Sequence, residues 1–188
     1  GRGAGRLFIR SIDLSNRHKL LDVGGGSGAY CIEACKAYPQ LKATVLDLPE
    51  VTPVAREFIE DNNLSERVDT YDADFNKDSF PEGADIAIMA SNLPMYGREA
   101  IQAVIQKIYN VLLPDSEFHL IGEALNEDRS GPSDPAMWGL AQTLHNSTGM
   151  AHSVAECTGY LKNAGFQNIE VSDFVPEVLT RISGRKAQ

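Results

Sequence analysis

Residues 19–28 read Lys-Leu-Leu-Asp-Val-Gly-Gly-Gly-Ser-Gly, which predicts a short strand that runs into a glycine-rich turn. The apolar segment carries one acid, Asp22. Four glycines then fall within five residues, at Gly24, Gly25, Gly26 and Gly28. Glycine lets a chain turn sharply off a strand end and lets a ligand approach the backbone where a Cβ would block it. The stretch is therefore typical of a ligand-binding turn.

The segments after the turn support the same interpretation. Residues 29–38 read as a helix, and the N–H groups at its start would face a ligand held by the turn. Asp47 ends the next apolar run, where a carboxylate would meet the hydroxyl groups of a ribose. Strand, glycine turn, helix, strand and acid together predict half of a nucleoside-binding fold.

The position of the acid narrows the range of ligands that the turn could bind. Asp22 stands two residues before Gly24, whereas sites for the pyrophosphate of a dinucleotide usually have no acid at that place. An acid there suits a cation such as the amino group and sulfonium of S-adenosylmethionine. A glycine-rich turn without any ligand and a nicotinamide site remain the alternatives.

Composition limits the function classes. The 188 residues suit one domain with a sizeable core, and 43% hydrophobic with 23% charged residues is ordinary for a globular protein. A net charge of -9 argues against binding to nucleic acid. No apolar run is long enough to span a membrane, and no signal peptide is visible. The three cysteines, Cys31, Cys35 and Cys157, suit core packing in a reducing cytoplasm, and we expect no metal.

Apolar patterning predicts an α/β protein. The predicted strands are 19–24, 42–48, 68–71, 84–90 and 117–125, and the predicted helices are 3–13, 29–38, 49–62, 99–112, 135–147 and 153–164. Ser153 and Glu156 form a capping-box pattern, and residues 169–174 and 178–182 predict a closing hairpin. The alternation predicts a mostly parallel sheet with helices on both faces and a ligand site at the carboxyl ends of its strands.

Several stretches resemble one family over nearly the whole chain. They are Leu20-Leu-Asp-Val-Gly-Gly-Gly-Ser-Gly, Val45-Leu-Asp-Leu-Pro, Asp72-Ala-Asp-Phe, Gly122-Glu-Ala-Leu and Tyr160-Leu-Lys-Asn-Ala-Gly-Phe. The chain resembles the catalytic domain of the small-molecule S-adenosylmethionine-dependent O-methyltransferases, such as the plant caffeate-type and acetylserotonin-type enzymes and their bacterial relatives. The resemblance implies a Rossmann-like sheet of seven strands whose last strand is antiparallel.

The resemblance also implies roles for individual residues. Gly24 and Gly26 would face the methionine part of the cofactor, Asp47 would bind the ribose, and Leu48 would lie against adenine. Asp74 and Phe75 would hold the edge and the face of adenine. The expected cofactor set is completed by Asp22, Gly25, Ser27 and Ala90.

The chain departs from the family where the catalytic base is expected. The family usually has a Lys-x-x-Leu-His stretch after strand four, and here Ala90 stands at the lysine position and Pro94 at the histidine position. Neither side chain can move a proton. Methyl transfer could still proceed by positioning alone, because a base is needed only when the acceptor oxygen is protonated.

Other side chains could take part in the chemistry. Glu123 ends strand five, Asn92 could orient a substrate oxygen, and His145 shares a predicted helix with Trp138. We therefore expect Glu123, Asn92 and His145 to be the catalytic candidates. His152 comes just before the helix cap and reads as a solvated loop residue.

The expected function is methyl transfer from S-adenosylmethionine to a hydroxyl, or to a carbon, of a small aromatic or polyene-like molecule. Residues 1–188 would form the catalytic domain. The helical N-terminal domain of the family, through which its members dimerise, is missing, and the chain begins with Gly1 rather than methionine, which suggests a piece of a longer protein. The rival interpretations are a cofactor-binding module without activity and a nicotinamide-dependent oxidoreductase.

Overall fold

The secondary structure follows the predicted alternation in a computed structural model that describes residues 2–145 and 148–188. The helices are α1 (Arg2–Ser11), α2 (Ala29–Ala37), α3 (Thr52–Asp61), α4 (Arg98–Val111), α5 (Ser133–His145) and α6 (Val154–Ala164). The strands are β1 (Lys19–Val23), β2 (Lys42–Asp47), β3 (Val68–Asp72), β4 (Ala84–Ala90), β5 (Leu112–Gly122), β6 (Ala124–Leu125), β7 (His152–Ser153), β8 (Gln167–Val175) and β9 (Leu179–Arg185). A short 3-10 helix covers Leu93–Met95.

Seven strands form one sheet in the order β3-β2-β1-β4-β5-β9-β8. Strand β1 pairs in parallel with β2 and β4, and β2 pairs in parallel with β3. Strand β9 is antiparallel to both β5 and β8. This arrangement confirms the predicted fold class, including the closing hairpin. Strands β6 and β7 make a separate parallel pair that the sequence did not predict.

The chain divides into two compact units. The first unit comprises residues 1–88 and 111–116. Within it, α1 packs closely on α2, since a Cβ on Gly5 would lie 2.8 Å from the carbonyl oxygen of Ala29. The rings of Phe8 and Tyr30 meet edge to face at 5.8 Å. All the side chains of β1 from Leu20 to Val23 are buried, and so are Cys31 and Cys35 on α2, as predicted.

The second unit comprises residues 89–110 and 117–188. Helix α6 begins with the predicted capping box, in which the Ser153 hydroxyl accepts from the Glu156 N–H and the Glu156 carboxylate accepts from the Ser153 N–H. It ends at Gly165, whose φ of 108° suits glycine. The next residue, Phe166, stacks on Phe118 with ring centres 5.4 Å apart.

Some predicted boundaries were wrong. Strand β5 begins at Leu112 and contains Pro114, which we expected to lie before the strand. Proline is tolerated there because the β5–β9 ladder starts only at Glu117. The same strand ends at Gly122 instead of running to residue 125. The last two residues of the predicted helix 135–147 lie outside the described residues.

Candidate functional site

The glycine turn after β1 has a backbone that only glycine adopts readily. Gly24, Gly26 and Gly28 have φ angles of 70°, 56° and 72°, all in the left-handed region. The N–H groups of Gly24 and Gly25 both point to the carbonyl oxygen of Leu46, at 2.8 and 3.3 Å. The turn is thus held against the end of β2, and its shape explains why glycines recur there.

The two central glycines of the turn have different surroundings. A Cβ on Gly25 would lie 2.7 Å from the Asp22 carboxyl carbon and 2.9 Å from Cγ1 of Val45. A Cβ on Gly26 would meet no atom of the described chain within 4 Å. Gly25 therefore packs on the core, while Gly26 borders open space. A ligand can approach the backbone at Gly26.

The structure brings Asp47 to the turn, as the sequence predicted. One of its carboxylate oxygens accepts the Gly26 N–H at 2.7 Å, and the other accepts the Leu48 N–H at 2.8 Å. Each carboxylate oxygen can accept two hydrogen bonds, so both retain capacity for a hydroxyl donor. The half-buried Asp47 is in position to bind a diol next to the open side of the turn.

Asp22 lies beneath the turn and is 1% exposed. Its Oδ2 is 3.7 Å from the Cys31 sulfur, and its Oδ1 has no hydrogen-bond partner in the described chain. Burial raises the pKa of Asp22 to about 7, so the carboxyl is only partly ionised at neutral pH. We predicted that this acid attracts a cationic ligand. From its buried position it can act on such a ligand only through the field of its charge.

The turn after β3 lies beside the end of β2, since the Ala73 N–H donates to the Asp47 carbonyl at 2.9 Å. The carboxylate of Asp74 accepts from the Lys77 ammonium at 2.8 Å and from the Asn76 N–H at 2.9 Å. These two bonds lower the pKa of Asp74. Phe75 is buried, while the expected cofactor residues Ser27 and Leu48 are half-buried.

The second unit holds a cavity of about 340 Å³. Its lining side chains come from three separate parts of the chain and are Ser91, Pro94, Met95, Glu123, Trp138 and Gln142. Three of them are apolar and one is a carboxylic acid, a composition that suits a flat organic molecule with a polar substituent. We name this space the 340 Å³ cavity.

Glu123 is the carboxylic acid of this cavity. Its Oε2 is buried and has no hydrogen-bond partner within the part of the chain that the structure describes. Burial raises its pKa above the ordinary 4.5. An unpaired carboxylate oxygen with a raised pKa is a suitable proton acceptor, because general bases work best when their pKa approaches the working pH.

The other two catalytic candidates have backbone partners of their own. The side-chain amide of Asn92 donates to the carbonyl of Ala90, the last residue of β4, at 3.0 Å. His145 is exposed at the end of α5, and its Nδ1 lies 2.8 Å from the Ala141 carbonyl. Since a carbonyl only accepts, Nδ1 carries a proton and Nε2 is the basic nitrogen of the neutral ring.

The prediction that His152 is solvated was wrong. Its side chain is fully buried, because β7 pairs with β6 through the register Ala124 with His152 and Leu125 with Ser153. A pairing of two residues leaves no periodic signal in the sequence. Gln142 and Ser91 were also missed as cavity residues, since no motif marks them.

In the described ranges, no three His, Cys, Asp or Glu side chains form a metal-binding group, and no helix is long and apolar enough to cross a bilayer.

Comparison with known proteins agrees with this geometry. A family model described as an O-methyltransferase domain matches residues 4–167. The chain is 34% identical, over 97% of its length, to a 3-hydroxy-5-methyl-1-naphthoate 3-O-methyltransferase from Streptomyces sahachiroi, of which it covers 53%. It is 29% identical, over 95% of its length, to an L-tyrosine C(3)-methyltransferase from Streptomyces lavendulae, of which it covers 47%.

A solved structure of a methyltransferase is also similar to this chain. The crystal structure of human N-acetylserotonin methyltransferase in complex with S-adenosylmethionine is 30% identical to the chain, with a TM-score of 0.84. The match covers 98% of this chain and 52% of the human one. The chain thus spans about half the length of the curated relatives it matches.

Proposed function

The chain belongs to the O-methyltransferase domain family, and on that premise we propose that it transfers a methyl group from S-adenosylmethionine to an oxygen of a small aromatic molecule. One observation carries the proposal. The Asp47 carboxylate accepts the Gly26 N–H at the open side of the glycine turn, so a diol acceptor and a bare backbone lie next to each other. This is the arrangement that an adenosyl group requires.

The first unit would bind the cofactor. Asp47 would accept the ribose hydroxyls with its two remaining acceptor positions, and Gly26 would give the methionine part room against the backbone. Leu48 and Phe75 would contact adenine, with Asp74 at its edge. Asp22 would favour the positive charge of the cofactor from beneath the turn, more strongly when it is ionised.

The second unit would bind the methyl acceptor in the 340 Å³ cavity. That volume is at the small end of the range for ligand pockets, which favours an acceptor of one or two rings. Pro94, Met95 and Trp138 would contact its faces. Glu123 would accept a hydrogen bond from its hydroxyl, because it is the one carboxylic acid among the lining side chains.

The bound cofactor would supply an electrophilic methyl group on a sulfonium. The acceptor oxygen would form a bond to this methyl carbon as the carbon–sulfur bond breaks, which would leave S-adenosylhomocysteine. The hydroxyl proton would pass to Glu123, the one carboxylic acid among the residues that line the cavity. Pro94 can contribute only shape, so we propose that alignment and exclusion of water account for most of the rate.

Binding and turnover test the proposal separately. Titration calorimetry with S-adenosylhomocysteine should show one binding site, and NADH should show none. Mass spectrometry should then detect a gain of one methyl group when the protein is incubated with S-adenosylmethionine and a panel of phenols and naphthols. Binding without any methylated product would favour a cofactor-binding module, and thermal stabilisation by NADH alone would favour an oxidoreductase.

Carbon methylation is the second candidate. One relative is named as a methyltransferase that acts on a ring carbon of tyrosine, at 29% identity to this chain. A ring carbon activated by an adjacent phenolate could attack the methyl group in the same way. The NMR spectrum of the product separates the candidates, because an O-methyl and a C-methyl group have well-separated proton and carbon shifts.

A further inference from the structure

His152 is buried and both nitrogens of its ring have partners. Nε2 lies 2.8 Å from the carbonyl oxygen of Tyr96, and Nδ1 lies 2.9 Å from the hydroxyl of Tyr160. A carbonyl can only accept, so Nε2 carries the proton and Nδ1 accepts from the Tyr160 hydroxyl. The neutral ring satisfies both neighbours. A charged ring would need the Tyr160 hydroxyl to turn its proton away.

The first of these bonds holds one wall of the 340 Å³ cavity. The Tyr96 carbonyl accepts from His152, and the Pro94 carbonyl accepts from the Met150 N–H at 3.0 Å. Met95 lies between these two anchored residues and lines the cavity together with Pro94. The segment 148–153 is therefore tied to the backbone on both sides of Met95.

The same segment packs against α5, which also lines the cavity. A Cβ on Gly139 would lie 2.6 Å from the Ala151 nitrogen, and a Cβ on Gly149 would lie 2.7 Å from the Gln142 carbonyl oxygen. The Thr143 hydroxyl lies 2.8 Å from the Gly149 carbonyl. Helix α5 presents Trp138 and Gln142 to the cavity. Segment 148–153 thus contacts two of the three parts of the chain that line this cavity.

Three charged side chains, Glu156, Arg98 and Arg129, act electrostatically on His152. Glu156 on α6 accepts from Arg98 on α4 at 2.7 Å and from Arg129 at 2.6 Å. Burial lowers the pKa of His152 below its ordinary 6.5, and both arginines act in the same direction, while the bond to Tyr96 and the charge of Glu156 oppose the shift. The ring is therefore neutral at neutral pH and gains its charge only on acidification.

We propose that His152 is a positioning residue, whose neutral ring holds the Pro94–Tyr96 wall and α5 in the geometry that binds the acceptor, and whose protonation releases them. The proposal depends on the proposed function only for the identity of the bound molecule. It explains why a histidine with two satisfied nitrogens is buried beside the cavity. It also predicts that the cavity opens in acid although none of its lining residues is a histidine.

Two substitutions separate hydrogen bonding from charge. In His152→Gln, the amide can donate to Tyr96 and accept from Tyr160 but cannot be protonated. In His152→Phe, the space is filled but neither hydrogen bond is made. His18→Gln, at an exposed histidine of the first unit, is the matched control.

The binding test uses 2-naphthol as the probe, in the presence of S-adenosylhomocysteine. We expect His152→Phe to weaken 2-naphthol binding by about tenfold and His152→Gln by less than about threefold, since breaking hydrogen bonds to buried groups is costly. The affinity for S-adenosylhomocysteine should change by less than about twofold in both variants. Equal losses for both ligands, or an unchanged 2-naphthol affinity in His152→Phe, would overturn the proposal.

The pH test needs no ligand, so it remains valid if the chain is not a methyltransferase. Trp138 is the single tryptophan and lines the cavity, so its fluorescence and acrylamide quenching report on the cavity directly. In the parent and in His18→Gln, quenching should increase below pH 6.5. The NMR signal of the ring that disappears in His152→Gln, one of four histidines, should titrate over the same range.

In His152→Gln the acid transition of Trp138 should be absent. The proposal is wrong if that variant keeps the transition of the parent, or if the histidine signal titrates without any change at Trp138. A parent that shows the transition but binds no S-adenosylhomocysteine would refute the proposed function and leave the role of His152 intact.

Discussion

The glycine turn is formed by backbone groups, whereas the 340 Å³ cavity is formed by side chains. The turn is a backbone structure, in which three glycines adopt positive φ angles and N–H groups bond the end of β2. The cavity is a side-chain structure, lined from three distant parts of the chain and held by the segment 148–153. A backbone site tolerates few changes of sequence, whereas a side-chain site can change its ligand by substitution. This contrast suits a common cofactor and varied acceptors.

The largest effect is expected at Gly25. An added Cβ would overlap the buried Asp22 carboxyl and Val45, so Gly25→Ala should destabilise the fold by about 3 kcal/mol and remove binding of S-adenosylhomocysteine. Urea unfolding and calorimetry measure the two quantities. A variant that binds like the parent would show that the turn is less constrained than its geometry indicates.

Substitutions in the 340 Å³ cavity should change the activity of the protein rather than its affinity for the cofactor. We expect Glu123→Gln to lower kcat/KM for a phenol by about a hundredfold, since the proton acceptor is lost. In the parent, the rate should rise with pH above 4.5, because the burial-raised pKa of Glu123 delays formation of the base, and this rise should disappear in the variant. An unchanged pH profile would exclude Glu123 as the base.

Asp22 connects the stability of the turn to pH. An unfolded Asp22 loses its proton near 3.8 and the folded one only near 7, so the parent should lose stability as pH rises through this range. Asp22→Asn should remove this slope and make the free energy of unfolding at pH 8 larger than that of the parent. Chemical denaturation at pH 4 and pH 8 measures the difference. A parent with no such slope would mean that folding does not raise the pKa of Asp22.

The smallest effect on stability is expected at Gly26, the matched partner of Gly25. Gly26→Ala costs only the strain of a positive φ, about 1 kcal/mol, because an added Cβ meets no described atom. Its Cβ would nevertheless enter the space proposed for the cofactor. Calorimetry should therefore show weaker S-adenosylhomocysteine binding in a protein that is nearly as stable as the parent. Undiminished binding would place the cofactor elsewhere.

Sequence reasoning succeeded where neighbouring residues carry the information. The seven-stranded sheet, the capping box at Ser153 and the meeting of Gly26 with Asp47 all follow from short apolar runs, a cap pattern and one turn. It failed at Pro114 and at His152. Proline lies in β5 because that part of the strand precedes the ladder with β9, and His152 is buried through a two-residue pairing with β6.

The amino-acid sequence by itself determined the glycine turn and the position of Asp47 at the end of the next strand. Allowed φ angles and strand periodicity are properties of each residue and its close neighbours. Tertiary structure alone decided the cavity, the neutral state of His152 and the raised pKa of Asp22. Burial, and the loss of water that shifts a pKa, come from contacts between residues far apart in the chain, which no local pattern records.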